Sequence, residues 1–291
     1  MTETANPEQY ELWNGDSGQR WVADADRRDA VLAPIADLLL RRAVIQPGEA
    51  VLDIGCGCGA TPIAAAAATG PAGTVVGLDI SAPMLDLARR RADEAGLRRV
   101  QFIHGDAQTQ RLEKIFDVAI SRFGTMFFAD PTTAFTSIAR HLAPGGRLCI
   151  ATWQPMAANE WLVVPGAALL AYGTLPEPAH ARNAPGMFAQ SDPDNLRVLL
   201  TGAGFADIHC EPHTLSLRFG ITIDEAVGYL ADSGPGRAVL DTIAQDQRAT
   251  ALAAVAAALA EHHDDRRGVT LDAAVWITAA TADANTSADR P

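Results

Sequence analysis

The stretch VLDIGCGCGATP, residues 51–62, joins an apolar run to three alternating glycines, Gly55, Gly57 and Gly59. A buried strand, a glycine loop and a helix in this order predict a site where a ligand approaches the backbone, because glycine has no side chain and accepts a positive φ. The spacing also satisfies the dinucleotide pattern G-x-G-x-x-G/A, with Ala60 in the last place. The glycines therefore predict a nucleotide-like ligand without saying which one.

Strand and helix patterns alternate on both sides of this loop. The strand patterns lie at 50–54, 74–80, 99–105, 116–122 and 147–153, and helical patterns at 60–69, 82–96 and 131–142 fall between them. Such alternation with short links predicts a mostly parallel sheet with helices on both faces, that is, a doubly wound, Rossmann-like α/β fold.

The pattern also predicts how the chain is divided. We expect an N-terminal helical or lid segment at 1–45, a ligand-binding core at 46–153, a Pro- and Gly-rich cap insertion at 154–191, a continuation of the core at 192–219, a helical cap insertion at 220–268, a last core strand at 269–282 and a disordered tail at 283–291. Two helical stretches, 222–233 and 236–263, make up most of the second cap.

Composition narrows the class of partner. The net charge is −12 and no long basic run occurs, which argues against a nucleic-acid partner and favours a small molecule. The first residues lack an apolar signal-peptide core, and the apolar stretch 251–260 is too short to span a bilayer. The four cysteines form no regular framework, and Cys56 and Cys58 have no second pair to complete a zinc site. We expect a cytoplasmic protein, monomeric or homodimeric, with no metal.

Asp53 separates two candidate ligands. This carboxylate lies two residues before the first glycine and would face the pyrophosphate of a dinucleotide, which costs free energy because the charges are alike. S-adenosylmethionine has no phosphate, and its sulfonium and ammonium groups are positive. Asp79 ends the second strand and could bind ribose hydroxyls with either ligand. The position of Asp53 therefore favours S-adenosylmethionine.

The chain resembles the class I S-adenosylmethionine-dependent methyltransferases. The stretches VLDIGCGCG, VVGLDIS, HGDAQ, FDVAISRFG and LAPGGRL match five motifs of that family in order. WNGDSGQRWV and SRFGTMFFADP are similar to stretches of a small-molecule subgroup described as like ubiquinone/menaquinone-biosynthesis methyltransferases. The resemblance implies a seven-stranded sheet whose last strand, 271–282, is antiparallel.

The resemblance also implies which residues hold the cofactor. Asp106 would accept a hydrogen bond from the adenine amino group with Ala107 beside the ring, and Ser121 would lie near the methionine end. The full implied set is Asp53, Gly55, Gly57, Gly59, Asp79, Ile80, Met84, Asp106, Ala107, Ser121 and Trp21.

Methyl transfer by in-line displacement needs alignment and exclusion of water, and it needs a base only if the nucleophile must lose a proton. His213 is the candidate base. The candidate walls for the acceptor are aromatic, namely Trp13, Phe123, Phe127, Trp153 and Trp161. Gly15 and Gly18 predict a loop between Trp13 and Trp21 that becomes ordered on cofactor binding.

The acceptor is thus expected to be a small, partly apolar metabolite methylated on oxygen, carbon or nitrogen. Two alternatives remain at this point. One is a protein that binds S-adenosylmethionine without transferring its methyl group. The other is an NAD-dependent oxidoreductase, which fits the glycines and Asp79 but not Asp53 or HGDAQ.

Overall fold

The described strands form one mixed sheet. The computed structural model describes residues 5–174 and 185–283, and within them the strands are β1 (Ala50–Ile54), β2 (Thr74–Asp79), β3 (Val100–His104), β4 (Phe116–Arg122), β5 (Leu142–Trp153), β6 (Phe205–Gly220), β7 (His263–Asp264) and β8 (Gly268–Ala282). Their order is β3-β2-β1-β4-β5-β8-β6, with β7 paired to β8. The pairings from β3 to β5 are parallel and the far edge is antiparallel, so the predicted fold class is confirmed.

Helices fill most of the connections between strands. They are α1 (Pro7–Asn14), α2 (Asp16–Ala23), α3 (Ala25–Ala43), α4 (Ala60–Thr69), α5 (Ala82–Glu94), α6 (Pro131–Arg140), α7 (Glu160–Leu169), α8 (Pro193–Gly202), α9 (Ile223–Asp232), α10 (Gly234–Leu240) and α11 (Arg248–Ala260). Several begin at caps that are legible in the sequence. Thr222 and Glu225 form a capping box at α9, and the Asp130 carboxylate accepts from Thr133 N at α6.

The described chain divides into two units. The first takes in 5–153, 185–212 and 276–283, and the second takes in 154–174 and 213–275. The boundaries at 212/213 and 275/276 fall inside strands, the first within β6 and the second within β8.

The core of the first unit follows from the alternation of side chains along its strands. Leu52 and Ile54 of β1 pack in one buried cluster with Phe135 of α6 and Leu200 of α8. The alternate residues of β1 point to the opposite face, where α4 contacts β1 and β2 and α3 contacts β4 and β5. Because helices cover both faces of the sheet, we expect the site at the carboxyl ends of the strands.

The second unit has its own packed centre. Helix α11 contacts α7 and α9, and α10 contacts both of those helices as well. Trp161 stacks on Phe219 with ring centroids 6.0 Å apart, and Tyr229 meets Phe219 edge-on at 5.6 Å. The buried Asn159 amide accepts from Ala274 N at 2.9 Å and donates to Gln154 O at 3.1 Å. These contacts make the unit a small helical layer on two strands.

Four local predictions were wrong. Residues 236–263 were predicted as one helix, but α10 and α11 are separate, and the Thr242 hydroxyl donates to Val239 O where α10 ends. Helix α7 lies in a segment predicted to be irregular, with Pro165 inside it. No loop joins Trp13 to Trp21, because α1 and α2 break only at Gly15.

The fourth wrong prediction concerns β5, which begins at Leu142 instead of 147, with a register shift in its pairing with β4. The described strands number eight instead of seven because the two-residue β7 is added. Of the predicted tail 283–291, only Asp283 lies among the described residues, where its N–H donates to Gly204 O.

None of the described helices combines the length and the apolar character that a membrane span requires.

The core of the first unit can be tested at Phe135, which is fully buried. The substitution Phe135→Ala should lower the free energy of unfolding by about 3–5 kcal/mol, because it removes buried apolar area and leaves a cavity. Val198→Ala on α8, where the side chain is 74% exposed, is the matched control and should change it by less than about 0.5 kcal/mol. Chemical denaturation measures both, and equal effects would contradict the packing described above.

Candidate functional site

The loop between β1 and α4 exposes its backbone at Gly57. The φ of Gly57 is 53°, and a Cβ atom added there would meet only the Met84 sulfur, 3.7 Å away. At Gly55 the same atom would lie 2.6 Å from Gly124 Cα, so the loop after β1 packs backbone to backbone on the loop after β4. A ligand can therefore reach the chain at Gly57, between Met84 and the strand ends.

Asp79 is fixed at the carboxyl end of β2 and tied to the same loop. One carboxylate oxygen accepts from Gly57 N at 2.7 Å and the other from Ser81 N at 2.8 Å. Burial raises its pKa, and these backbone hydrogen bonds lower it in part. Each carboxylate oxygen can accept a further hydrogen bond. The arrangement can hold a vicinal diol such as that of a ribose.

Asp53 is a fully buried carboxylate that the described residues leave without a hydrogen bond of ordinary geometry to either oxygen. Burial raises its pKa to about 7. The nearby Thr61 hydroxyl and the Arg122 charge lower the pKa, and the Asp79 charge raises it further. A buried carboxylate without a partner is costly, and a bound cation would relieve that cost. This observation fits a ligand with a positive group close to the glycine loop.

The thiols of the glycine loop contribute no charge. Cys56 and Cys58 are buried, and burial raises the pKa of Cys58 to about 12 and that of Cys56 well above its usual range. Both therefore remain neutral small side chains near neutral pH.

Asp106 follows β3, and its neighbour Gln108 holds it in place. Gln108 N donates to one oxygen of Asp106 at 2.9 Å, and the Gln108 side-chain amide donates to the other at 3.2 Å. The Gln108 side-chain oxygen accepts from Asp130 N at 2.7 Å, which ties this turn to the start of α6. These hydrogen bonds fix the orientation of the buried Asp106 carboxylate, and the half-buried Ala107 is its neighbour in the chain.

Ser121 joins the ends of β4 and β1. Its hydroxyl donates to Ile54 O at 2.6 Å and accepts from Gly124 N at 3.2 Å. The side chain is fully buried and already committed within the protein. A ligand at this point would have to be contacted through the backbone of Ser121.

The N-terminal helices dock beside β2. Trp13 packs edge-on against Trp21 and against Phe127, with centroid distances of 6.1 and 5.2 Å, and both tryptophans pack against the buried cluster of Ala25, Cys58 and Met84. The Asn14 side chain donates to Ile80 O at 2.9 Å, and its oxygen accepts from Ala82 N at 2.9 Å. These contacts bring the predicted residues Trp13, Trp21, Ile80 and Met84 together beside the glycine loop.

An aromatic pair joins the residue after β4 to the last residue of β5. Phe123 stacks on Trp153 with ring centroids 4.1 Å apart and planes 9° from parallel. The φ of Phe123 is 68°, an uncommon value for an aromatic residue. Its N–H donates to Ala151 O, and the next residue is the Gly124 that packs on Gly55. The pair therefore lies beside the glycine loop and presents an apolar wall.

Two predicted residues belong to the second unit. Trp161 is buried in α7, where its indole N–H donates to the Asn159 side-chain oxygen at 3.2 Å. His213 is half-buried in β6. Their roles remain predictions from the sequence.

The sequence analysis missed three residues of the site, namely Asn14, Asp29 and Arg122. Asn14 ties α1 to β2, and Asp29 accepts from Arg122 at 3.1 Å and from Arg91 at 2.9 Å. The available clue was Arg122 itself, a charged residue at the end of a strand that the pattern predicts to be buried. Asn14 and Asp29 lie in helices, where polar residues are common and do not by themselves indicate a site.

Comparisons with known proteins bear on the family of this chain. A family model described as a methyltransferase domain matches residues 51–146. The demethylmenaquinone methyltransferase of Geobacillus stearothermophilus is 32% identical over 195 residues, covering 62% of this chain and 80% of that protein. The nocamycin O-methyltransferase of Saccharothrix syringae is 32% identical over 247 residues, covering 79% of this chain and 84% of that protein.

The fold is also shared with a solved methyltransferase. Phosphoethanolamine N-methyltransferase 2 of Haemonchus contortus, in complex with phosphomonomethylethanolamine and S-adenosylhomocysteine, has a TM-score of 0.55 at 19% identity, covering 94% of this chain and 59% of that one. This structural likeness shows the fold, and the sequence relatives show the family. The chain belongs to the small-molecule group of the class I S-adenosylmethionine-dependent methyltransferases.

Proposed function

We propose that the first unit binds S-adenosylmethionine across the carboxyl ends of β1, β2 and β4, and that the acceptor is a small, partly apolar metabolite. The observation that carries this proposal is the buried Asp53 carboxylate, unpartnered among the described residues and next to the open backbone of Gly57. An anion in that position favours a cationic ligand and disfavours the pyrophosphate of NAD. The oxidoreductase alternative is therefore not retained.

Each predicted residue has a task in this arrangement. Asp79 would accept from the ribose hydroxyls while it holds Gly57 N, and Asp106 with Ala107 would meet the adenine. Asp53 would face the positive end of the methionine part. Met84, Ile80, Trp13 and Trp21 would cover the bound molecule and exclude water.

When bound, S-adenosylmethionine supplies an activated methyl group for direct displacement. The residues of this chain would contribute by holding donor and acceptor in line, because alignment is the main catalytic resource of such a site. Phe123 and Trp153 are proposed to line the acceptor side, since the pair adjoins the glycine loop through Gly124. Phe127, Trp161 and His213 remain proposals for the acceptor side, with His213 as a base for an acceptor that must lose a proton.

The apolar acceptor is supported by the aromatic side chains that surround this part of the site. Phe123 keeps a strained φ although glycine would adopt it freely, which suggests that its ring has a use beyond the fold. Two relatives are named for methyl transfer to demethylmenaquinone and to nocamycin.

The acceptor class can be tested with isotope-labelled S-adenosylmethionine. Matched panels of apolar hydroxylated aromatics and of polar sugars and amino acids would be incubated with the protein, and labelled product would be counted. We expect transfer to members of the apolar panel. In Phe123→Ala the acceptor KM should rise about tenfold through lost apolar contact, while the affinity for S-adenosylhomocysteine stays unchanged.

Transfer to polar acceptors only would contradict the proposed acceptor class. Formation of S-adenosylhomocysteine with neither panel, at concentrations that saturate the site, would count against the apolar acceptor as well.

The pKa of Asp53 predicts a pH dependence of cofactor binding. At pH 6 the carboxyl is mostly protonated in the ligand-free protein, because its pKa is raised to about 7. A ligand ammonium requires the ionised form, so the affinity for S-adenosylhomocysteine should increase about tenfold from pH 6 to pH 8 and level off above pH 8. Calorimetry in two buffers of different ionisation enthalpy should also detect proton release near pH 6.

Asp53→Asn provides the control for this effect. Its affinity should be lower at pH 8 and nearly independent of pH. The ligand-free variant should also be more stable than wild type at pH 8 and equal to it near pH 4, because a raised pKa means that ionising Asp53 opposes folding as the pH rises from about 4 through 7. A wild-type affinity that is flat between pH 6 and pH 8 would reject the contact between Asp53 and the ammonium.

A further inference from the structure

Arg122 lies at the end of β4 on the same side of the sheet as Asp53. The parallel register pairs Asp53 of β1 with Ile120 of β4. Side chains alternate along a strand, so Arg122, two residues beyond Ile120, shares the face of Asp53. It extends past the end of β1, at the level of the glycine loop.

The guanidinium of Arg122 is only partly satisfied. Its side chain is 11% exposed, and Nη2 donates to one oxygen of Asp29 at 3.1 Å. Nη1 is buried and makes no hydrogen bond with any described residue. A buried N–H without an acceptor costs free energy. At the edge of a ligand site such a group can donate a hydrogen bond to a bound ligand.

Asp29 holds this guanidinium in a fixed place. Its second oxygen accepts from Arg91 Nη1 at 2.9 Å, and the same Nη1 donates to Cys58 O at 3.0 Å in the glycine loop. Arg122 is thereby linked through Asp29 and Arg91 to the backbone that the cofactor is proposed to touch. The linkage orients the guanidinium without using Nη1.

Asp53 and Arg122 are complementary but do not pair. In the part of the chain that the structure describes, the carboxylate of Asp53 has only the Thr61 hydroxyl near it and no hydrogen bond of ordinary geometry, and the ion pair of Arg122 is with Asp29. One unsatisfied anion and one unsatisfied cationic N–H thus share a face beside Gly57. A ligand that carries both a positive and a negative group would satisfy both at once.

We propose that Arg122 and Asp53 form the subsite for an α-amino acid group, with Arg122 Nη1 donating to the carboxylate of the methionine part of the cofactor and Asp53 accepting from its ammonium. The guanidinium is suited to this task because it presents planar, fixed N–H groups to carboxylates. The proposal rests on the placement of the cofactor at Gly57 proposed above and adds the residue that reads its carboxylate.

The test uses three ligands that differ only at the amino acid end. S-adenosylhomocysteine has the ammonium and the carboxylate, decarboxylated S-adenosylhomocysteine lacks the carboxylate, and 5′-methylthioadenosine lacks both, while the sulfur is an uncharged thioether in all three. Calorimetry would measure their affinities for wild type and for Arg122→Met, which keeps an unbranched apolar stem without the guanidinium and its charge. The affinity for S-adenosylhomocysteine should fall about 30-fold, and the affinities for the other two ligands should change less than about threefold.

Two further variants separate recognition from structure. Arg91→Met removes another arginine that contacts Asp29 and the glycine loop, and it should change the affinities for all three ligands by a similar factor. Arg122→Lys keeps a charge beside Asp29 and thus the fold. It should lose about tenfold in affinity for S-adenosylhomocysteine alone, because an ammonium cannot reproduce the guanidinium geometry.

An equal loss for all three ligands in Arg122→Met would overturn the proposal, since it would show that Arg122 acts only through Asp29. An unchanged affinity for S-adenosylhomocysteine would overturn it too, while leaving the proposed function intact. If the wild-type protein binds 5′-methylthioadenosine as tightly as S-adenosylhomocysteine, no subsite reads the amino acid group and the proposal fails. If it binds none of the three, the placement of the cofactor fails first.

Discussion

A buried, unpartnered carboxylate beside a close-packed glycine loop is the constraint on which the site depends. Asp53 is buried near the end of β1, two residues before Gly55. The backbone of Gly55 packs directly against that of Gly124, which fixes the course of the chain after β1. Folding therefore brings a negative charge into a low-dielectric place and raises its pKa to about 7. A cationic ligand would relieve this cost, which is why we propose that Asp53 faces the positive group of the cofactor.

The rest of the first unit keeps that arrangement in place. Ser121 closes the gap between β1 and β4 with its hydroxyl, and Asp79 holds Gly57 from the side of β2. Asn14 ties the N-terminal helices to the same strand end. Because these contacts come from three separate segments, the loop is held from several sides, which is what preorganised binding requires.

The sequence predicted what depends on short-range pattern and missed what depends on tertiary packing. The strands around the loop could be located from their apolar patterns, Asp53 from its offset to the first glycine, and Asp79 from its place at the end of the second strand pattern. Arg122 and Asp29 meet across 93 positions, and no local pattern reports such a pair. Helix α7 was missed because Pro165 and Gly166 suggest irregular chain, although packing against α11 maintains the helix. The glycines at 15 and 18 were given too much weight, since Gly18 lies inside α2.

The most direct test of the account compares ligand-induced thermal stabilisation of wild type, Gly57→Ala and Gly48→Ala. Both glycines have a positive φ, 53° at Gly57 and 90° at Gly48, and no atom that would crowd an added Cβ, so both substitutions strain the backbone, but only Gly57 is proposed to face the site. S-adenosylhomocysteine at about 100 times its dissociation constant should add about 2.7 kcal/mol to wild type and to Gly48→Ala, and much less to Gly57→Ala, while NAD stabilises none of them. Equal stabilisation of Gly57→Ala, or stabilisation by NAD alone, would contradict the account.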